Sequence, residues 1–202
     1  RKFLTKYLQE LILLMPWRVK ISNQHIEAAV QLDCDHMVVS TGFAYLDVDA
    51  EDAFGWCAEA MGRIARKAEQ EGVTLAVEPF TKYTTHICNE ASQLRRLLRT
   101  VNSPRLTGLA DTDVIATTAV DTFSTFLDVI GPENLGHVHF VDGNPGGHLV
   151  PGDGVLDLDG ALEKLKAIHY TGALGLEVLD RRYVFAPEAA MKQAMDWYKE
   201  RI

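Results

Sequence analysis

Four residues, Glu78, Asp111, His139 and Glu177, have the types and spacing to do chemistry together. Each stands at or near the end of a short apolar run: Thr74–Phe80 (TLAVEPF), Leu106–Asp111 (LTGLAD), Gly136–Asp142 (GHVHFVD) and Ala173–Leu179 (ALGLEVL). An ionised carboxylate in such a run is costly to bury unless it is paired or bound to a cation. Taken singly, each acid reads as a strand-end salt bridge. Three acids converging without an evident counter-charge repel one another, and a divalent cation removes that repulsion. His137 and His139 are one residue apart, so on a strand they project to the same side, and either is a candidate ligand. One imidazole with three carboxylates suits Mn²⁺, Mg²⁺, Co²⁺ or Zn²⁺, with Mn²⁺ the first expectation.

Positioning these groups is the task of alternating elements. Besides the four runs above, Met37–Ser40 reads as a strand. Helical spacing appears at Gln24–Leu32, Asp49–Gln70, Asn89–Arg99, Thr118–Ile130, Leu158–His169 and Ala186–Ile202. In Asp49–Gln70 the residues Phe54, Cys57, Met61, Ile64 and Ala68 recur at steps of three or four, which marks one buried face. Five strands alternating with helices imply βα units and a parallel sheet. An open dinucleotide-binding sheet requires a GxGxxG turn after a strand, and none is present. Polar residues collected at strand C-terminal ends favour a (β/α)₈ TIM barrel, whose active site lies on that face. Such a barrel typically takes about 250 residues. The 202 residues here, with Arg1–Trp17 reading as a helix and a loop, are expected to form a single barrel domain over 1–202 that lacks its first three strands.

The segment Asp142–Gly154 (DGNPGGHLVPGDG) follows the histidine strand. It lacks the GxxxxGK[ST] phosphate-loop pattern, and its glycines permit a tight path over the strand ends. His148 is expected to reach substrate or metal. Asp142 and Arg181 are the other expected substrate contacts. Trp17 and Phe43 read as core or pocket residues.

Composition closes off other classes. Lys plus Arg is 20 and Asp plus Glu is 28, a net charge of −8, which is a poor match for nucleic acid or an anionic membrane. No apolar run approaches the length of a membrane span, and no signal-peptide pattern opens the chain. The three cysteines (Cys34, Cys57, Cys88) form no CxxC spacing and read as buried free thiols, in keeping with a reducing cytoplasm.

The motifs LAVEPF, GLADTD, GHVHFVDG with GGHLVPGDG, and YTGALGLEVLD resemble those of the sugar isomerase/epimerase superfamily of xylose isomerase-like barrels. Within it the fructoselysine 3-epimerase group is the nearest likeness, through the EPxTxY run Glu78–Tyr83 and the SPRL turn Ser103–Leu106. The resemblance covers residues 18 to 202. It implies a divalent metal held by Glu78, Asp111, His139 and Glu177, with Glu78 and Glu177 also serving as the acid–base pair, a small sugar as substrate, and a dimer or tetramer as a plausible assembly. Two positions depart from the pattern. Val114 stands where many members carry a histidine three residues after the aspartate, and Thr84 where many carry a glutamate.

The implied reaction is 3-epimerisation of a ketose or ketose-amine. One carboxylate removes the proton beside the carbonyl to give an enediolate, and the other returns a proton to the opposite face. Aldose–ketose isomerisation and keto-inositol dehydration need the same ligands and stay open. An apurinic endonuclease on the same barrel is disfavoured by the acidic charge. A non-catalytic sugar-binding barrel is the rival from another class.

Overall fold

Five parallel strands follow one another in space in the same order as in sequence: β1 (His36–Ser40), β2 (Thr74–Glu78), β3 (Leu106–Asp111), β4 (Leu135–His139) and β5 (Leu174–Gly175). A doubly wound sheet reverses its strand order at a switch point, whereas a barrel wall runs in simple succession. The succession seen here is that of a TIM-barrel wall, with five of its eight strands among the described residues. The structure is a computed structural model that describes residues 2–44 and 47–201, with side chains from residue 17 onward.

The connections are the helices α1 (Lys2–Gln31), α2 (Ala50–Glu71), α3 (Ala91–Val101), α4 (Thr112–Thr118), α5 (Phe123–Ile130), α6 (Leu158–Ala167) and α7 (Pro187–Lys199). In α2 the expected face is buried: Phe54, Cys57, Met61, Ile64, Ala65 and Ala68. Asp49 caps its start by accepting from the Glu51 and Asp52 amides, and Gly72 ends it in a left-handed conformation that glycine adopts without a Cβ penalty. Leu94 and Leu97 of α3 and Phe126, Leu127 and Ile130 of α5 fill the layer between helices and strands. β2 and β3 are covered on both sides, which explains their unbroken apolar character.

Several elements differ from the expectations. α1 is one helix from Lys2 to Gln31, with no loop near Trp17. α4 is a separate seven-residue helix that starts at once beyond β3, and Ala119, with φ of 57°, breaks it from α5. Asp111 is both the last strand residue and the cap of this helix, so no polar linker marks the junction. β5 pairs over only two residues, and Glu177 lies just beyond the ladder. Trp17 and Phe43 are 60% and 56% exposed rather than buried, and Phe43 stacks against Phe80 with ring centroids 6.3 Å apart. Cys57 and Cys88 are buried free thiols as expected, but Cys34 is exposed, because it lies past the end of α1. Among the described residues no helix is long and apolar enough to cross a membrane.

Candidate active site

Each central residue occupies a strand end for a local reason. Glu78 is the last residue of β2 and sits in register with Ser40 of β1. Asp111 closes β3, and its Oδ1 accepts from the Asp113 and Val114 amides, each at 2.8 Å. These bonds cap α4 and turn Oδ2 the other way. His139 closes β4, in register with Asp111 on one side and Gly175 on the other. A β-carbon at Gly175 would lie 2.9 Å from His137 Nε2 and 3.2 Å from His139 Cδ2, so glycine there leaves room for both rings.

The ligand atoms of Glu78, Asp111, His139 and Glu177 all lie within 4.8 Å of one another. His139 Nδ1 is 3.0 Å from Glu78 Oε1, 3.3 Å from Glu177 Oε2 and 3.5 Å from Asp111 Oδ2. A single ring nitrogen cannot satisfy three carboxylates. Asp111 Oδ2 is buried and has no hydrogen-bond partner among the described residues. An orphaned carboxylate oxygen facing two further acids and an imidazole is the donor set of a hard divalent cation, so the residues fit the metal that the sequence implies.

The electrostatics match this crowding. Burial opposes charge on His139, but the Asp111 and Glu78 carboxylates outweigh it and raise its pKa to about 10. Burial likewise opposes the Asp111 anion, yet His139, His148 and the Val114 amide lower its pKa to about 2. Glu177 is pushed upward, first by burial and then by the charge of Glu78.

His148 joins the cluster from the glycine-rich loop. Its Nε2 lies 3.4 Å from Asp111 Oδ2 and 3.5 Å from Glu177 Oε2. Its Nδ1 is 3.0 Å from Asp113 Oδ2. Asp113 was not among the residues singled out from sequence; the available signal was a second acid two residues beyond Asp111 in GLADTDV.

Asp142, expected at the substrate, makes its hydrogen bonds within the loop. It is buried, and its two oxygens accept from the amides of Gly143, Gly152, Gly154 and Leu156. With both oxygens engaged, Asp142 folds the loop rather than offering a free acceptor. Arg181 is exposed in the short turn Arg181–Tyr183, four residues beyond Glu177, and it joins none of the cluster's ion pairs. Val114, at the position of the missing histidine, is buried, and Thr84, at the position of the missing glutamate, is exposed and shares a hydrogen bond with Thr81.

The family model described as the xylose isomerase-like TIM barrel matches residues 17–201. The chain belongs to this family. A fructoselysine 3-epimerase from Shigella flexneri is 26% identical over 176 residues, covering 86% of this chain and 63% of that protein. The same-named enzyme from Escherichia coli O157:H7 is 26% identical over 198 residues, covering 91% and 71%. This family member therefore spans 63% and 71% of the lengths of these two relatives. A crystal structure of 3-keto-D-glucoside 4-epimerase from E. coli superposes with a TM-score of 0.80 at 20% identity, covering 90% of this chain and 70% of that one. At that identity the likeness is one of fold.

Proposed function

We propose that this chain carries the catalytic centre of a divalent-metal-dependent epimerase that inverts the carbon beside the carbonyl of a ketose or ketose-amine. The observation that carries this reading is the convergence of Glu78, Asp111, His139 and Glu177 at the C-terminal ends of neighbouring barrel strands. Glu78 reaches His139 from β2, on one side of β4, and Glu177 from β5, on the other.

A divalent ion held by these four residues supplies Lewis-acid polarisation of the substrate carbonyl. The two glutamates do the proton work. One takes the proton from the carbon beside the carbonyl, and the other delivers a proton to the opposite face of the planar enediolate. Which glutamate serves as base depends on the direction of the reaction. His148 faces the same space with its Nε2. Epimerisation is preferred over isomerisation because three curated sequence relatives, including one named ketose 3-epimerase from Arthrobacter globiformis at 30% identity over 118 residues, carry 3-epimerase names. Mn²⁺ is the proposed ion, a small sugar derivative the proposed substrate and a homo-oligomer the proposed assembly. Three free cysteines support a reducing compartment such as the cytoplasm.

Incubation of the Mn²⁺-loaded protein with a panel of ketoses and fructosamines in D₂O is expected to place deuterium on the carbon beside the carbonyl and to yield the C3 epimer, both read by NMR. A metal-loaded protein that leaves every ketose unexchanged has the site of a binding protein, and the epimerase reading falls.

A further inference from the structure

We infer that Asp113 is a positioning residue: it fixes the His148 ring so that Nε2 meets a substrate oxygen beside the metal-binding carboxylates. This rests on the functional reading above. Among the described residues His148 is one of five non-glycine residues with positive φ, here 48°, and it follows Gly146 and Gly147, whose φ values are 103° and 108°. A histidine held in the left-handed region carries strain that its surroundings must compensate, and such residues gather at functional sites. The surroundings here are specific. The His148 amide donates to Asp113 Oδ2 at 3.0 Å, and the ring Nδ1 lies 3.0 Å from that same oxygen. The Gly146 amide donates to the other carboxylate oxygen, Oδ1. The His148 carbonyl accepts from the Leu179 amide at 3.1 Å, two residues beyond Glu177.

Asp113 is fully buried, on the first turn of α4. A β-carbon on Gly143 would collide with its carboxylate, so a glycine is required where the loop leaves β4. One buried acid thus clamps the backbone and the side chain of the same loop residue. The result joins the end of β3, the loop after β4 and the segment beyond β5. The clamp leaves only Nε2 pointing at the cluster. The ligand atoms of Glu78, Asp111, His139 and Glu177 gather within 4.8 Å of one another without His148. That assigns Nε2 to the substrate, in a family member that has Val114 and Thr84 where other polar contacts are expected.

The test is a double-variant cycle on the Mg²⁺-loaded protein, with D-fructose, D-psicose and D-tagatose as probes in D₂O. Asp113→Asn and His148→Asn are each expected to slow deuterium exchange about 10–100-fold, the usual range for a group that orients a site residue. Mg²⁺ affinity should stay within about threefold of wild type, since neither residue is assigned to the ion. The double variant should be no slower than His148→Asn alone, because Asp113 acts through that ring. Asparagine tolerates positive φ, so His148→Asn keeps the loop even where Asp113→Asn does not fold. In the metal-loaded protein, nitrogen-15 NMR should show a protected His148 Nδ1–H that disappears in Asp113→Asn. Additive losses in the double variant, or an unchanged ring signal in Asp113→Asn, overturn the inference. A large loss of Mg²⁺ affinity in His148→Asn also overturns it, by making His148 a metal ligand. A wild-type protein that binds Mg²⁺ but exchanges no ketose refutes the epimerase reading instead, and the ring signal then decides the clamp by itself.

Discussion

His139 Nδ1 lies 3.0 Å from Glu78 Oε1 although β3 stands between their strands. In a flat sheet, strands two apart are separated by about 9–10 Å. The curl of a barrel wall, with both side chains on its concave face, shortens that gap, and the reach of the two side chains closes it. The curvature that makes the fold also makes the site, because it draws ends of successive strands to one point.

That point should bind one divalent ion per chain. Asp111→Ala and His139→Ala each remove a donor from the set of four, and each is expected to lower Mn²⁺ affinity by more than about 100-fold, beyond the range for outer residues. Isothermal titration measures this. Wild-type affinity in either variant would place the ion elsewhere.

Metal removal should reveal the charge crowding as lost stability. An ion present at about 100 times its dissociation constant adds about 2.7 kcal/mol. For a chain of this size that corresponds to a Tm shift of about 5–11 °C between Mn²⁺-loaded and chelated protein. Calorimetry with and without EDTA tests it, and equal Tm values would mean that the acids are satisfied without a cation.

Much of the candidate site is legible because its acids stand at or near the ends of apolar runs, where burial makes them conspicuous. Glu78, Asp111 and Glu177 stand out in this way, whereas the HVH pair leaves His137 and His139 equal and only the family resemblance selects His139. Asp113 and Asp142 were not assigned their roles, because their partners are backbone amides of a loop whose path depends on tertiary contacts. α4 was missed for a related reason: Asp111 ends a strand and caps a helix in one residue, so the usual polar gap is absent. The exposure of Cys34 is not legible in the sequence, because burial of a single residue past a helix end has no periodic signature.

The thiols should separate by reactivity. Burial pushes Cys57 up to about 12 and Cys88 further still. Only the thiolate attacks, so both should be inert at pH 8. Ellman's reagent on the folded protein is expected to titrate one thiol, Cys34, quickly, and the other two only after denaturation. Rapid reaction of two or three thiols would show that the core between α2 and α3 opens readily.

The Asp142 carboxylate should matter to the loop more than to the ion. Asp142→Ala leaves the amides of Gly143, Gly152, Gly154 and Leu156 without their acceptor. The expected cost is about 2–4 kcal/mol in urea denaturation, with loss of hydrogen-exchange protection confined to the loop. A change below about 0.5 kcal/mol would show that water replaces the carboxylate at no cost, as on an ordinary surface.

The two glutamates should be separable from the metal function by a conservative change. Glu78→Gln and Glu177→Gln each keep a carbonyl oxygen that can face the ion but remove the group that accepts a proton. General acid–base groups contribute about 10²–10⁴-fold, so each variant should lose at least about 100-fold in formation of the C3 epimer while still binding Mn²⁺. If one glutamate serves each face of the enediolate, a single variant should stop epimer formation yet retain slow exchange when the surviving glutamate is the base for the substrate supplied. Offering the opposite epimer should then reverse the pattern between the two variants. Equal loss from both epimers in both variants would instead assign proton removal and return to a shared group, and the two-face geometry of β2 and β5 around His139 would lose its mechanistic meaning.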